Sequence, residues 1–337
     1  MTDESKTKTG GRMRYVDGLE NSIYDRRVFE ELHAGRLTCV VVTMAFWEDT
    51  LETMDAIGRW HDFAEQNSDL ILLARTTADI EHAYQTGRTA ILLGTQNSSP
   101  IADRVRFVEL FRDMGLRVMQ LTYNNQNAIG GSCYEPEDSG LTRFGRQVIA
   151  EMNRVGMLID ISHVGERTGL EAAEASTAPI AITHANASSL VPHLRNKNDA
   201  LIRAVSERGG MIGIPTYPKI CGEYFSASLE RWCELIRRTI DIAGIDHVGI
   251  GTDIGRNEDQ RYLDWMRVGR WTKGAFFGAG SAASPGVTPP PDYMRTTEGF
   301  PAVEQELRRH LTEDETAKVM GENWMRVYRA VIDDPAG

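Results

Sequence analysis

Short, β-branched apolar runs recur along the whole chain, each followed by a longer amphipathic stretch. They occupy residues 15–19, 37–43, 89–93, 117–122, 157–161, 180–183, 211–215 and 248–252, with a weaker ninth at 69–73. Runs of this kind, bounded by polar turns, read as buried strands. Stretches of helical length fill the gaps: 101–114 follows Pro100 with apolar residues three and four apart, and 145–155, 189–208 and 229–243 repeat that spacing. Parallel strands need such crossovers, because no tight turn can join them. Eight repeats favour a closed sheet. The expected fold is therefore α/β, a (β/α)8 barrel of the TIM type. No G-x-G-x-x-G follows the first run, which argues against an open dinucleotide-binding sheet.

A length of 337 residues suits one barrel with insertions, so 14–337 is expected to be a single domain behind a disordered tail at 1–13. The Gly- and Pro-rich stretch 255–300 breaks the alternation after the last run. It is expected to be a long insertion, a lid or an arm for subunit contact. Amphipathic helices over 303–310 and 313–331 then close the chain. A net charge of −11 argues against nucleic acid and anionic membranes, both of which need clustered Lys and Arg. The four cysteines are scattered with no C-x-x-C, and the sequence has no apolar leader or span. Together these predict a cytoplasmic protein with reduced thiols.

The last residues of barrel strands line the C-terminal mouth, where catalytic groups gather. The first run delivers Asp17, Leu19 and Glu20 there, the third Thr95, Gln96 and Asn97, and the fourth Tyr123 and Asn124. The fifth and sixth runs each finish on a histidine, His163 and His184, and the eighth on Asp253. Two imidazoles and a carboxylate converging from separate strands suit one divalent metal, with a position open for water. Asp253 is the natural base for that water. Without metal, the same three residues would be an acid/base set. Cys133 has no base near it in sequence and reads as a spectator thiol.

Several ordered segments resemble the membrane (renal) dipeptidase family, peptidase family M19 of the amidohydrolase superfamily. They are Gly140-Leu141-Thr142-Arg143-Phe144-Gly145, Asp160-Ile161-Ser162-His163, His184-Ala185-Asn186-Ala187 with Arg195-Asn196, Gly249-Ile250-Gly251-Thr252-Asp253, and Gly321-Glu322-Asn323-Trp324. The resemblance implies a barrel hydrolase for dipeptides with two zinc ions. It implies that His163 and His184 hold one metal, that Arg195 binds the substrate carboxylate and that Asp253 is the acid/base. Departures accompany it. Where the family has Asp-Gly-His-x-Asp this chain has Asp17-Gly18-Leu19-Glu20-Asn21, Gln96 replaces the glutamate that bridges the metals, and Tyr123 replaces a substrate-contacting histidine. A neutral amide brings no charge to offset repulsion between two dications.

The combined expectation is a dipeptidase-like hydrolase of a dipeptide or a small carboxylate-bearing amide, forming a homodimer. One zinc ion sits on His163 and His184, with Gln96 and Glu20 as further candidate ligands. Tyr123 and Asp253 act in catalysis, while Arg195, Tyr123 and Asn97 bind substrate. The alternative is a metal-free enzyme of tautomerase or lyase type on the same scaffold.

Overall fold

The computed structural model describes residues 12–269 and 288–334. Nine strands alternate with helices: β1 (Val16–Glu20), β2 (Cys39–Thr43), β3 (Ile71–Leu73), β4 (Thr89–Thr95), β5 (Leu116–Gln120), β6 (Leu158–Asp160), β7 (Ala181–Ile182), β8 (Met211–Ile214) and β9 (Val248–Ile250). All pair in parallel in the order β2-β1-β9-β8-β7-β6-β5-β4, and β4 pairs back onto β2. The ring is therefore closed by eight strands, and each of them overlaps one of the eight expected runs. The weaker ninth run is β3, which stays outside the ring. It pairs with the first half of β4 (Ile71 opposite Thr89, Leu73 opposite Ile91), and β5 takes over that edge from Leu93 onward.

Strand side chains alternate between two faces, and the sequence uses them differently. Val40, Val42, Ile91, Met119, Ile159, Ile212 and Ile250 point outward and form the large core under the helices. Val16, Cys39, Val41, Ala90, Leu92, Val118, Leu158, Ala181 and Met211 point into the barrel. The surrounding helices are α1 (Arg26–Ala34), α2 (Thr50–Gln66), α3 (Thr77–Gln85), α4 (Arg106–Met114), α5 (Arg143–Val155), α6 (Glu166–Ala175), α7 (Asp199–Ser206), α8 (Pro218–Ser226) and α9 (Leu229–Ala243). After β9 come α10 (Gln260–Val268), α11 (Phe300–Leu307), α12 (Glu313–Ala317) and α13 (Asn323–Tyr328).

The closing helices do more than their amphipathic pattern predicts. Trp324 of α13 is fully buried and joins the interior core with Met325, Val327 and Tyr328. Its indole N–H donates to the Ile250 carbonyl at 2.8 Å. The indole fits because three strands offer glycine there. A Cβ on Gly18 would lie 2.2 Å from the ring, and those on Gly213 and Gly249 at 3.1 and 2.8 Å. The C-terminal segment thus plugs the end of the barrel opposite the mouth.

The helix expected over 189–208 is shorter. Only α7 forms, with the Asn198 side chain capping it by accepting from Leu201 N. Pro192 has no N–H to give and disfavours helix in the residue before it. Residues 189–198 instead fold back as a loop, tied by Asn196, whose amide donates to the Val191 and Ile220 carbonyls. That loop carries Arg195 to the mouth. The insertion begins with α10, whose Leu263 and Met266 pack on Phe46, Trp47 and Tyr123 over the mouth. Its centre, like residues 1–11 of the tail expected at 1–13, lies outside the described residues.

Candidate active site

A cavity opens at the C-terminal ends of the strands. Its wall includes Asn21, Gln96, Tyr123, Asn124, His163, Arg195, Tyr217 and Asp253, with Glu258, Leu263 and Met266 from the insertion. His163 stands three residues past β6 and His184 two past β7. Their Nε2 atoms face each other at 3.1 Å. Both rings are buried, and burial followed by the charge of Arg195 holds their pKa values well below the ordinary range. Both imidazoles are therefore neutral at pH 7, as a metal ligand or a base requires.

The outer nitrogens decide where the protons sit. His163 Nδ1 lies 2.7 Å from Asn124 Oδ1, a carbonyl that only accepts, so this nitrogen carries the proton. His184 Nδ1 lies 2.8 Å from Thr183 Oγ1, which in turn donates to Asp160 Oδ2 at 2.7 Å. A hydroxyl has one proton, so Thr183 receives from His184, whose proton is also on Nδ1. Two Nε2 lone pairs then point at one another across 3.1 Å. Both Nε2 lone pairs are thus left facing the same point, an arrangement suited to a cation.

Asp253 follows β9 in a left-handed backbone conformation (φ 56°) that turns its carboxylate toward the cavity. Burial raises its pKa to about 6, opposed by Arg195 and by the Asn21 amide, which donates to it at 3.2 Å. Arg195 is buried, and its guanidinium donates to the Ser162 carbonyl and, at 3.0 Å, to that of His184. Those bonds use two of five N–H groups. Tyr123 lies against His163 with ring centroids 4.4 Å apart. Burial, and then Asp253, push its hydroxyl pKa well up, so it remains a donor.

Other expected residues fall elsewhere or take other roles. Gln96 lines the cavity with its amide nitrogen on Thr43 Oγ1 at 3.0 Å. Glu20 does not reach the histidines. The β1–β2 register shifts between Asp17 and Glu20, setting Glu20 opposite the outward-facing Val42. Its buried carboxyl sits near Asp17, Glu31 and Arg256, and burial, then Asp17, push its pKa well up. A carboxyl outside the ring cannot share a metal with His163 and His184. Asn97 is also displaced from its expected place: its oxygen accepts from Ser98 N and Asn127, and it is not part of the cavity wall. Burial raises the pKa of the Cys133 thiol, which suits a spectator. Among the described residues, no three His, Cys, Asp or Glu side chains converge as a metal site.

Sequence reasoning missed the Asp160–Thr183 link and Tyr217. The signal for the link was present, since Asp160 and Ser162 are two apart and share a strand face with the interior residues. Tyr217 belongs to a loop, and no periodic signal marks it.

A family model described as membrane dipeptidase (peptidase family M19) matches residues 23–263. The chain belongs to this family. Among its relatives, Dipeptidase verJ of Clonostachys rogersoniana is 31% identical over 63% of this chain and 55% of its own length. Dipeptidase aclJ of Aspergillus oryzae is 30% identical over 61% of this chain and 49% of its own. The chain thus spans about half the length of the curated relatives it matches. An amidohydrolase from Pseudomonas aeruginosa superposes with a TM-score of 0.88 at 33% identity, covering 96% of this chain and 97% of that one. A metallopeptidase from Rhodobacter sphaeroides shares the fold, with a TM-score of 0.76 at 19% identity over 95% of this chain and 99% of its own. No helix among the described residues is long and apolar enough to cross a membrane.

Proposed function

We propose that the protein hydrolyses a dipeptide, or another small amide bearing a carboxylate, with one divalent ion, zinc, on His163 and His184. The observation that carries this reading is the pair of Nε2 acceptors 3.1 Å apart, both outer nitrogens being occupied by acceptors. His163 and His184 would hold the ion through these two nitrogens. Gln96, whose amide nitrogen is held by Thr43 Oγ1, lines the same cavity and would offer its side-chain oxygen as a further contact. The residues at 19, 21 and 96 are uncharged and bring nothing to offset the charge of a second ion.

When bound, the ion polarises the scissile carbonyl and lowers the pKa of water. The chain's own groups supply the rest. Asp253, with a pKa of about 6, is ionised at neutral pH and takes the proton of the attacking water, then returns it to the leaving amine. Asn21 holds that carboxylate in place. Arg195 binds the substrate carboxylate through its remaining N–H groups, a match of planar fork to planar anion. Tyr123 donates its hydroxyl to the oxyanion.

The competing reading, a metal-free acid/base enzyme, draws support from the lack, among the described residues, of a third His, Cys, Asp or Glu converging with the two histidines. Metal analysis and a panel of dipeptides and N-acyl amino acids, assayed with zinc and after chelation, separate the two. Zinc near one equivalent, with hydrolysis lost on chelation and restored by zinc, is expected. Zinc-replete protein that cleaves none of the panel would overturn the proposal.

A further inference from the structure

The interior of the barrel beneath the histidines holds a carboxylate for which the mechanism above has no use. Asp160 is buried at the end of β6, and four donors converge on it. Its Oδ1 accepts from Ser162 N at 2.9 Å, Ser162 Oγ at 2.5 Å and Thr183 N at 3.1 Å. Its Oδ2 accepts only from Thr183 Oγ1, at 2.7 Å. The two backbone N–H groups cannot reverse direction, so the Oδ1 position must always hold an acceptor. Ser162 Oγ, having given its proton to Asp160, receives from His184 N at 3.1 Å. Each hydrogen bond of fixed direction in this cluster runs toward Asp160; the Ser162 Oγ–Thr183 Oγ1 contact at 3.1 Å can run either way.

We infer that Asp160 is a positioning residue: by taking the Thr183 hydroxyl proton it fixes the proton of His184 on Nδ1 and aims the Nε2 lone pair into the cavity. Carboxylate, hydroxyl and imidazole form a chain of one polarity. The carboxylate sets that polarity because it alone in the chain can only accept. A hydrogen bond to the outer nitrogen is a known means of setting tautomer and orientation in metal-binding histidines. Here the carboxylate acts through an intervening threonine, and His163 is set separately by Asn124. The tautomer statement stands on hydrogen-bond geometry alone, while its consequence for zinc rests on the function proposed above.

Asp160→Asn is the informative substitution because its result is directional. The three donors at Oδ1 select the amide oxygen, which leaves the amide NH2 facing Thr183 Oγ1. The amide then donates to the hydroxyl, the hydroxyl turns to donate to His184 Nδ1, and the His184 proton moves to Nε2. Long-range nitrogen–proton NMR correlations of the imidazole rings, recorded on metal-free full-length protein, read this directly. The expected result is His184 protonated on Nδ1 in the wild type and on Nε2 in the variant. Zinc affinity, measured by competition with a chromophoric chelator, should fall about 10- to 100-fold.

Thr183→Val breaks the chain without reversing it and should give mixed tautomers, whereas Thr183→Ser should restore the wild-type spectrum. These two variants decide the matter if Asp160→Asn does not fold. Unchanged His184 tautomers in both Asp160→Asn and Thr183→Val would overturn the inference, as would loss of the wild-type spectrum in Thr183→Ser. If wild-type protein binds no zinc, the metal-free spectra still test the Asp160 assignment, and only the proposed function fails.

Discussion

Replacing Asp253 by Asn should inactivate the enzyme and make it more stable, and the stability gain should depend on pH. Burial raises this carboxyl from 3.8 to about 6 in the folded protein. Between those values the unfolded chain has released the proton while the folded protein keeps it. The folded state is therefore favoured fully below about pH 3.8, and that advantage disappears as the pH rises through about 6. A shift of about two pH units corresponds to about 3 kcal/mol, and water in the cavity reduces this to about 2–3 kcal/mol. An asparagine carries no such cost, and its carbonyl still accepts from Asn21.

Asp253→Asn should thus match the wild type near pH 4 and exceed it at pH 8 by about 2–3 kcal/mol, roughly 3–4 °C in Tm for a protein of this size. The assay is denaturant and thermal unfolding of both proteins across that range, with chelator present so that no cation biases the carboxylate. In the wild type, kcat/KM should rise with unit slope toward a plateau above about pH 6. In the variant it should fall by about 10²- to 10⁴-fold. A stability difference that is the same at pH 4 and pH 8 would refute the reasoning, because it would mean that the folded protein does not perturb this carboxyl.

Arg195→Lys should raise KM for carboxylate-bearing substrates about tenfold or more, since a point charge on a flexible stem replaces a fork anchored on two carbonyls; an unchanged KM by initial-rate kinetics would remove Arg195 from substrate binding. Tyr123→Phe should lower kcat by about 10²-fold with little change in KM or Tm; equal loss in both kinetic constants would assign the ring, not the hydroxyl, to binding. Trp324→Ala should cost about 3–5 kcal/mol by urea unfolding, because it leaves a void facing three glycines; a loss under 1 kcal/mol would mean that the plug collapses without penalty.

Much of this protein was legible in its sequence because the relevant signals are local. Apolar runs of alternating face identify strands whatever surrounds them, and eight such runs separated by helix-length stretches leave few ways to close a sheet. The same logic put His163, His184 and Asp253 at one rim, because residues just past barrel strands gather at the C-terminal mouth. The tertiary structure decided what depends on neighbours distant in sequence. A register shift between β1 and β2 sent Glu20 outside the ring, and one residue of register is enough to do so. Pro192 and the ties of Asn196 turned an expected helix into the loop that delivers Arg195. Three glycines on separate strands, unremarkable one by one, together made the socket for Trp324. The proton positions on the two histidines depend on Asn124, Thr183 and Asp160, and hydrogen-bond direction exists only once donors and acceptors are in place. Local pattern determined where the strands and their terminal residues lie. Packing determined which of those residues meet and which nitrogen is left to bind.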